Sequence, residues 1–338
     1  MQDERSDRPD AIQIVHRAEK KRVDVYIDGA HFTSYLFSEA GSDLKKPILY
    51  PLNTANGNNV ARGWPFERKA GERVDHPHHA GHWFNYGDVN GFDFWNHSTN
   101  TPGDRLDKMG SIVHQSVDAI KNGNDVGTLT VTAHWLGPDG AALLHEQTTF
   151  VFTKAADRRI MDRTTTLTAL DEPVVFSDNK EGMVAVRVTR ALEHPSNEAL
   201  LLTDEDGQPR AEKVRDNTGV SGEYLNEAGV RGTAIWGERS PWALLSGKLD
   251  DEHVTITIID HPQNPGYPTY WHARGYGLFA ANPLGQRIFS KGKEMLNHSL
   301  EPGASTTFRY RIAFLSDSAD PQKAVKTLAA DFAAKTLE

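Results

Sequence analysis

Hydrophobic and polar positions alternate with a period of two along most of the chain. In TLTVTAHW at 128–135, one face takes Leu129, Val131, Ala133 and Trp135, and the other takes threonines and a histidine. The same alternation recurs at 147–153, 163–168 and 181–190, where Val184, Val186 and Val188 are expected to face inward. This period is typical of half-buried antiparallel strands. Further strands are predicted at TAIWG, PWALLSG, HVTITIID, YGLFAAN and TTFRYRIAFL.

The segment 320–337 is the exception, because its apolar residues recur with helical spacing. Asp320 is the predicted N-cap and Pro321 the first helical residue, and the apolar stripe comprises Ala324, Val325, Leu328, Phe332 and Leu337. Turn signals such as Asp-Gly at 28–29 separate the strands. The pattern predicts an all-β fold, one large antiparallel sandwich over 13–338 that includes this helix, after a disordered segment 1–12. Two sandwiches divided near residue 170 are the alternative.

Composition narrows the classes of protein. The 338 residues are 38% hydrophobic, carry a net charge of −9 and contain no cysteine. Disulfides, thiolate catalysis and thiolate zinc sites are therefore excluded, and a basic nucleic-acid-binding face is not expected. No apolar run approaches the ~18 residues of a membrane span. The polar start MQDERSDRPDA lacks the apolar core of a secretory signal, so a cytoplasmic protein is expected.

The richest chemistry lies in DHPHHAGHWFNYGDVNGFDFW at 75–95, which holds four histidines, three aspartates and two tryptophans. Histidine transfers protons near neutral pH, and aromatic rings beside polar groups suit a sugar. His78 and His79 are the proton-transfer candidates, and the predicted ligand contacts are Trp83, Asn85 and Asp88. Two alternatives stay open: a metal site built on His76, His78 and His79, and a turn-rich corner whose aromatic residues fill core.

A second cluster, DHPQNPGYPTYWHARGYG at 260–277, follows a buried strand directly. His261 is a further proton-transfer candidate, Arg274 would stabilise developing negative charge, and the predicted ligand contacts are Asn264, Tyr270, Trp271 and His272. We predict that the two histidine-rich segments line one cleft. An edge loop whose prolines block aggregation is the alternative.

Two shorter stretches complete the candidate site. In SDNKEGMVAVRV at 177–188, Glu181 and Arg187 share strand parity, and Lys180 sits at the start of the strand. Glu181 or Asp260 would act as base or orient a histidine, whereas a solvated Glu/Arg face is the alternative. Arg62, in the asparagine-rich loop 52–66, is a further predicted ligand contact.

These stretches together resemble the bacterial PmoA-like family over roughly 20–315, chiefly through HPHHAGHWFNYGDVNGFDFW and HPQNPGYPTYWHARGYGLFAANP. The family label evokes a membrane-embedded methane oxygenase subunit, and methane oxidation is rejected because no spanning segment is present. The resemblance implies a β-supersandwich similar to galactose mutarotases, glycoside-hydrolase sandwich domains and polysaccharide lyases. A mutarotase has a catalytic histidine, matched here by His79 or His82 before Trp83–Phe84. Its late glutamate base has no clear match, since Glu294 and Glu301 fit only by position.

The predicted function is therefore an acid/base enzyme, an epimerase, hydrolase or lyase, acting on a small-molecule carbohydrate without a cofactor. No nucleic-acid or membrane partner is predicted. Two other functions stay open: a carbohydrate-binding protein without turnover, and a histidine-liganded enzyme that uses a divalent metal.

Overall fold

The computed structural model describes residues 10–39 and 41–335. The strands are β1 Ile12–Arg17, β2 Arg22–Ile27, β3 Ala30–Leu36, β4 Ile48–Leu52, β5 His82–Tyr86, β6 Ser111–Lys121, β7 Val126–Leu136, β8 Ala142–Lys154, β9 Arg158–Ala169, β10 Val174–Phe176, β11 Gly182–Arg187, β12 Glu223–Asn226, β13 Trp242–Leu249, β14 Glu252–Asp260, β15 Tyr270–Arg274, β16 Leu278–Asn282, β17 His298–Leu300 and β18 Ser305–Ser316. The α-helices are α1 Gln286–Phe289 and α2 Pro321–Ala333, and 3-10 helices span Ala18–Lys20, Gly103–Lys108, Arg190–Leu192 and Gly232–Ile235.

Two eight-stranded antiparallel sheets form the body of the fold. Sheet I has the order β1-β2-β3-β4-β5-β11-β16-β15, and sheet II has the order β12-β13-β14-β18-β9-β8-β7-β6. Each sheet combines strands from before and after residue 170, so the chain does not divide into two sandwiches there. The predicted antiparallel supersandwich with a short C-terminal helix is confirmed.

The main hydrophobic core lies between the two sheets. A row of paired residues across sheet I, Phe84–Val184–Ala281–Trp271, points into this core. Since successive residues of a strand face opposite ways, their neighbours point to the outer face of sheet I. That outer face carries a smaller apolar cluster that includes Trp83, Trp95 and Ala280.

Most of the predicted strands are present, and two predictions need correction. All six residues of β11 are buried, because sheet II covers one face and the Trp83/Trp95 cluster covers the other. The segment TAIWG is not a strand: residues Gly232–Ile235 form a 3-10 helix. Of the predicted disordered segment, residues 1–9 lie outside the described residues, and Ile12 already begins β1 and is buried.

Helix α2 packs on the outer face of sheet II, as its stripe predicts. Asp320 caps it by accepting a hydrogen bond from the backbone N–H of Lys323 at 2.9 Å, and Pro321 is its first residue. The buried residues are Val325, Leu328 and Phe332, each contributing roughly 1.5–3 kcal/mol through burial. Leu337 lies outside the described residues.

Candidate functional site

A cavity of about 400 Å³ opens on the outer face of sheet I. On this face the strands β5, β11, β16 and β15 pair in the rows Trp83–Ala185–Ala280–His272 and Arg187–Leu278–Arg274, of which His272 and Arg274 line the cavity. The other residues of these rows are packed behind the lining. The lining comprises Arg73, Asp75, His76, His78, His79, Trp95, Asn96, Lys180, Glu181, Glu198, His272, Arg274 and Tyr276.

The loop 75–79 is held in place by the buried guanidinium of Arg62. It donates to the backbone carbonyls of Arg73, Asp75, His76 and His79 at 2.8–3.1 Å. This explains how the loop keeps an irregular path, in which His76 has a positive φ of 38°. Arg62 therefore supports the site from behind and does not line the cavity.

The carboxylate of Asp75 forms ion pairs with the arginines behind the loop. Its Oδ1 accepts hydrogen bonds from Arg62 and from Arg187, each at 2.6 Å. Burial alone would raise the pKa of Asp75, but Arg187, His76 and Arg62 together hold it well below its usual range. The carboxylate thus stays ionised and pairs with two buried guanidinium groups, and Glu193 adds a second negative charge 4.0 Å from Arg187.

The tautomer of His79 follows from its neighbour. Its Nδ1 lies 3.3 Å from Nη1 of Arg187, and a guanidinium can only donate, so Nδ1 accepts and Nε2 carries the hydrogen. Within residues 10–39 and 41–335, the buried Nε2 has no hydrogen-bond partner. Burial, then His78 and Arg187, lower the pKa of His79 well below its usual value. His79 is therefore neutral and offers one N–H group.

His78 is neutral for similar reasons. Burial, followed by the charge of Lys46, lowers the pKa of His78 to about 2. The Nζ of Lys46 donates to the backbone carbonyl of His78 at 2.7 Å, and burial lowers the pKa of Lys46 to about 7. This lysine therefore provides a second anchor for the loop, at a carbonyl that Arg62 does not reach.

A second set of polar side chains lines the cavity: Lys180 and Glu181, just before β11, and His272, in β15. Nδ1 of His272 is 3.6 Å from Oε2 of Glu181, and Nζ of Lys180 donates to the Glu181 carboxylate. Burial, then Lys180 and Arg274, lower the pKa of His272 to about 3, so this imidazole is also neutral near pH 7. Burial, followed by Arg274, lowers the pKa of Lys180.

Trp95 connects the two groups. Its ring centre lies 5.5 Å from that of His79 and 6.3 Å from that of His272. The predicted candidates His78, His79, Lys180, Glu181, His272 and Arg274 therefore line one cavity, and the two histidine-rich segments meet there. Arg187 lies immediately behind, where its guanidinium covers the ring of Tyr276 at 4.8 Å.

Several predicted site residues of the second segment lie elsewhere. His261 packs edge-on against Phe332 of α2, 5.0 Å between ring centres. Asn264 donates to Asp260 and to the carbonyl of Arg309 at 2.7 and 2.6 Å, which fixes a turn. Asp260 itself is buried at this turn.

Two more candidates of that segment lie outside the cavity, Trp271 because of its strand parity and Tyr270 because it packs elsewhere on the outer face. Trp271 points into the main core, where its Nε1 donates to Ser240 Oγ at 2.7 Å. Tyr270 stacks on Phe289, and its hydroxyl donates to Glu294 at 3.0 Å. Neither Glu294 nor the exposed Glu301 lines the cavity.

In the first segment, three residues that were predicted to contact the ligand stabilise the fold instead. Trp83 is fully buried beneath His79, with 5.3 Å between the stacked rings. Asn85 donates to the carbonyl of Phe94 at 2.7 Å, and Asp88 accepts from the N–H of Gly91 at 3.0 Å. His82, the alternative mutarotase histidine, is buried in sheet I, away from the cavity lining.

Sequence reasoning assigned no role to five lining residues, Arg73, Asp75, Asn96, Glu198 and Tyr276, and left Trp95 open between a sugar-facing ring and a core residue. Asp75, Trp95 and Tyr276 stand inside the two histidine-rich segments, 75–95 and 260–277, so their place in the sequence could have indicated that they line the site. Arg73 is held by Glu193, 3.1 Å away, and both stand in segments without a recognisable motif.

The three histidines of the metal alternative do not converge on one point. His76 and His79 stack with their ring planes 4° apart and their centres 4.9 Å apart, while His78 meets His79 edge-on at 4.3 Å. Among the described residues, no group of three or more His, Asp or Glu side chains is placed to hold a metal ion. This geometry does not fit the metal site.

A family model described as a family of unknown function (DUF6807) matches residues 22–329. The chain belongs to DUF6807. The match carries no PmoA name, so that label stays a resemblance. No curated protein matches this DUF6807 chain in sequence.

Solved structures that resemble this DUF6807 chain are distant. The galactosidase domain of the alpha-galactosidase-sucrose kinase AgaSK is 9% identical with a TM-score of 0.39, covering 90% of this chain and 42% of that one. A beta-arabinopyranosidase is 11% identical with a TM-score of 0.30, covering 89% and 38%. Galactose 1-epimerase from Lactobacillus acidophilus NCFM is 10% identical with a TM-score of 0.33, covering 91% and 99%. The DUF6807 chain thus spans less than half the length of the first two.

Within the part of the chain that the structure describes, every helix is too short or too polar to cross a bilayer.

Proposed function

We propose that this DUF6807 protein is an enzyme that transfers protons on a sugar or sugar derivative. The supporting observation is that a carboxylate, neutral imidazoles and a guanidinium line one cavity beside aromatic rings. Sugars combine apolar C–H faces with hydroxyl edges, so a cavity of a few hundred Å³ that sets aromatic rings among many polar side chains suits such ligands. Tyr276 and Trp95 supply the apolar surfaces.

The proposed roles follow from the hydrogen-bonding capacity of each side chain. Glu181 accepts the proton, because its carboxylate lines the cavity and lies beside neutral His272. Arg274 stabilises negative charge that develops on a ligand oxygen. His79 donates its Nε2–H to a ligand oxygen, because its Nδ1 is already occupied by Arg187.

The experiment compares two glutamates that undergo the same chemical change. Purified protein is incubated with a panel of aldoses, uronates and glycosides, and conversion is followed by NMR. Glu181→Gln should lower turnover about 10²-fold or more, which is typical of losing a general base. The control is Glu294→Gln, the residue matched to the mutarotase base only by position, which should retain activity. An unaffected Glu181→Gln variant would remove Glu181 from the mechanism.

The low pKa of His272 favours a second candidate, a carbohydrate-binding protein without turnover. A group that stays neutral over most of the pH range holds hydroxyls well but is a weak base. Retention of a sugar on the wild-type protein without conversion, even after long incubation, would support this candidate. Conversion that depends on added divalent metal would instead return the metal alternative to consideration.

A further inference from the structure

A second cavity, of about 590 Å³, adjoins the first. Arg73, Glu198, Arg274 and Tyr276 line both, so the two cavities lie side by side. We propose that the second cavity holds the second ring of a two-ring glycoside whose first ring lies over the histidines. This inference rests on the proposed function and adds to it the size of the ligand.

Trp236 is the main apolar surface of the second cavity. It follows the 3-10 helix Gly232–Ile235, and the ring of Phe289 supports it edge-on at 5.3 Å. A buried indole N–H normally has a hydrogen-bond partner. The Nε1 of Trp236 is buried and has none among the described side chains and backbone groups. An aromatic face with an unused donor at its edge suits a hydroxylated ring.

His194 supplies a complementary acceptor. Its Nδ1 lies 3.0 Å from the carbonyl oxygen of Gly222. Because a carbonyl oxygen only accepts, Nδ1 carries the hydrogen and Nε2 is left with a lone pair. The second cavity is therefore lined by an indole and an imidazole, side chains that carry the two kinds of hydrogen-bonding group, donor and acceptor, that a sugar hydroxyl can use.

The remaining lining favours a neutral polar ring over an ion. Ser196 and Asn197 are uncharged, Glu198 is anionic, and Arg73 is already paired with Glu193. Arg274 stands between the two cavities, 5.8 Å from the centre of the Trp236 ring. In a two-ring ligand that spans both cavities, the bond between the rings would lie beside the guanidinium of Arg274.

The test compares disaccharides with their component monosaccharides by titration calorimetry, using lactose, cellobiose and maltose against galactose and glucose. Wild-type protein should bind at least one disaccharide about tenfold more tightly than its component monosaccharide. Thr233→Trp, which fills the second cavity from an exposed position, should abolish this advantage and leave monosaccharide affinity within about twofold. Thr218→Trp, at an exposed threonine outside the lining of both cavities, is the matched control and should retain the advantage.

A second variant, Trp236→Ala, should likewise reduce disaccharide affinity selectively. Monosaccharide binding without any disaccharide advantage, or an advantage that survives Thr233→Trp, would overturn the second-ring site while leaving the proposed function intact. If wild-type protein binds neither class of sugar, the proposed function itself fails, and the second-ring site fails with it.

Discussion

The tripeptide Asp-His-Pro occurs twice in the chain, at 75–77 beside the candidate site and at 260–262 away from it. Asp75 lies between two guanidinium groups, and its pKa is held well below the usual range. Asp260 is buried away from such partners, and burial raises its pKa to about 7 although Asn264 and Thr269 donate to it. The comparison shows that burial and neighbouring charges, and not the local sequence, set the pKa of each carboxyl group.

The two histidines differ in the same way. His76 is exposed over 40% of its side chain and stacks on Tyr276 at the cavity, 4.8 Å between ring centres. His261 is buried against α2. Only the later part of the second segment, from His272 onward, reaches the cavity. The earlier part, with His261, stabilises the fold, so a single histidine-rich segment contains both structural residues and candidate site residues.

The largest expected effect comes from exchanging the two aspartates separately for asparagine. Asp75→Asn removes the carboxylate that Arg62 and Arg187 share, and should lower the free energy of unfolding by about 3–5 kcal/mol and abolish ligand binding. Asp260→Asn should cost about 1–3 kcal/mol, since it disturbs hydrogen bonds without stranding a charge, and should leave binding intact. Urea denaturation at pH 7 measures both, and equal losses would show that the two carboxyl groups do not differ as described.

An intermediate effect is expected in the pH dependence of stability. The pKa of His79 is lowered from 6.5, so below that pH the unfolded state binds more protons, and stability falls as pH falls. The pKa of Asp260 is raised from 3.8 to about 7, so the folded state binds more protons in that window, and stability falls as pH rises. Each effect is at most about 1.4 kcal/mol per pH unit.

The measurement for these opposing slopes is urea denaturation of wild type, His79→Gln and Asp260→Asn between about pH 4.5 and 6.5. The difference curves of the two variants from wild type should have opposite signs of slope. Parallel curves would mean that at least one of the two groups titrates normally.

The smallest expected effect belongs to His261. His261→Ala removes the edge contact with Phe332 and should destabilise the protein by about 1 kcal/mol, with sugar affinity unchanged within about twofold. His272→Ala is the paired variant, which should change affinity or turnover. If His261→Ala weakened sugar binding as strongly as His272→Ala does, the placement of the site on the outer face of sheet I would be contradicted.

The strands could be predicted because period-two patterning is a local property, as in β7, β8 and β9. The exceptions have physical causes. TAIWG has strand-like residues, but Gly232, with a φ of 58°, begins a 3-10 helix there. β11 is covered on both faces, so the burial of its six residues depends on partners that are distant in the sequence.

The candidate site could be predicted only in part. The meeting of the two histidine-rich segments followed from their chemistry, but neighbouring residues such as Trp271 and His272 cannot both face one cavity from a strand. Strand parity alone would have excluded one of the pair, and it could not say which. The pairing of Arg73 with Glu193 requires a tertiary contact that no local pattern encodes.

The order of strands in sheet I has a consequence for folding. β5, β11 and β16 are neighbours, although they stand about 100 residues apart along the chain. Such long-range pairing closes large loops and forms slowly, so the cavity exists only after the whole sheet has assembled. Any sugar that fits would bind only the finished fold, and by mass action it would protect the entire sandwich against unfolding.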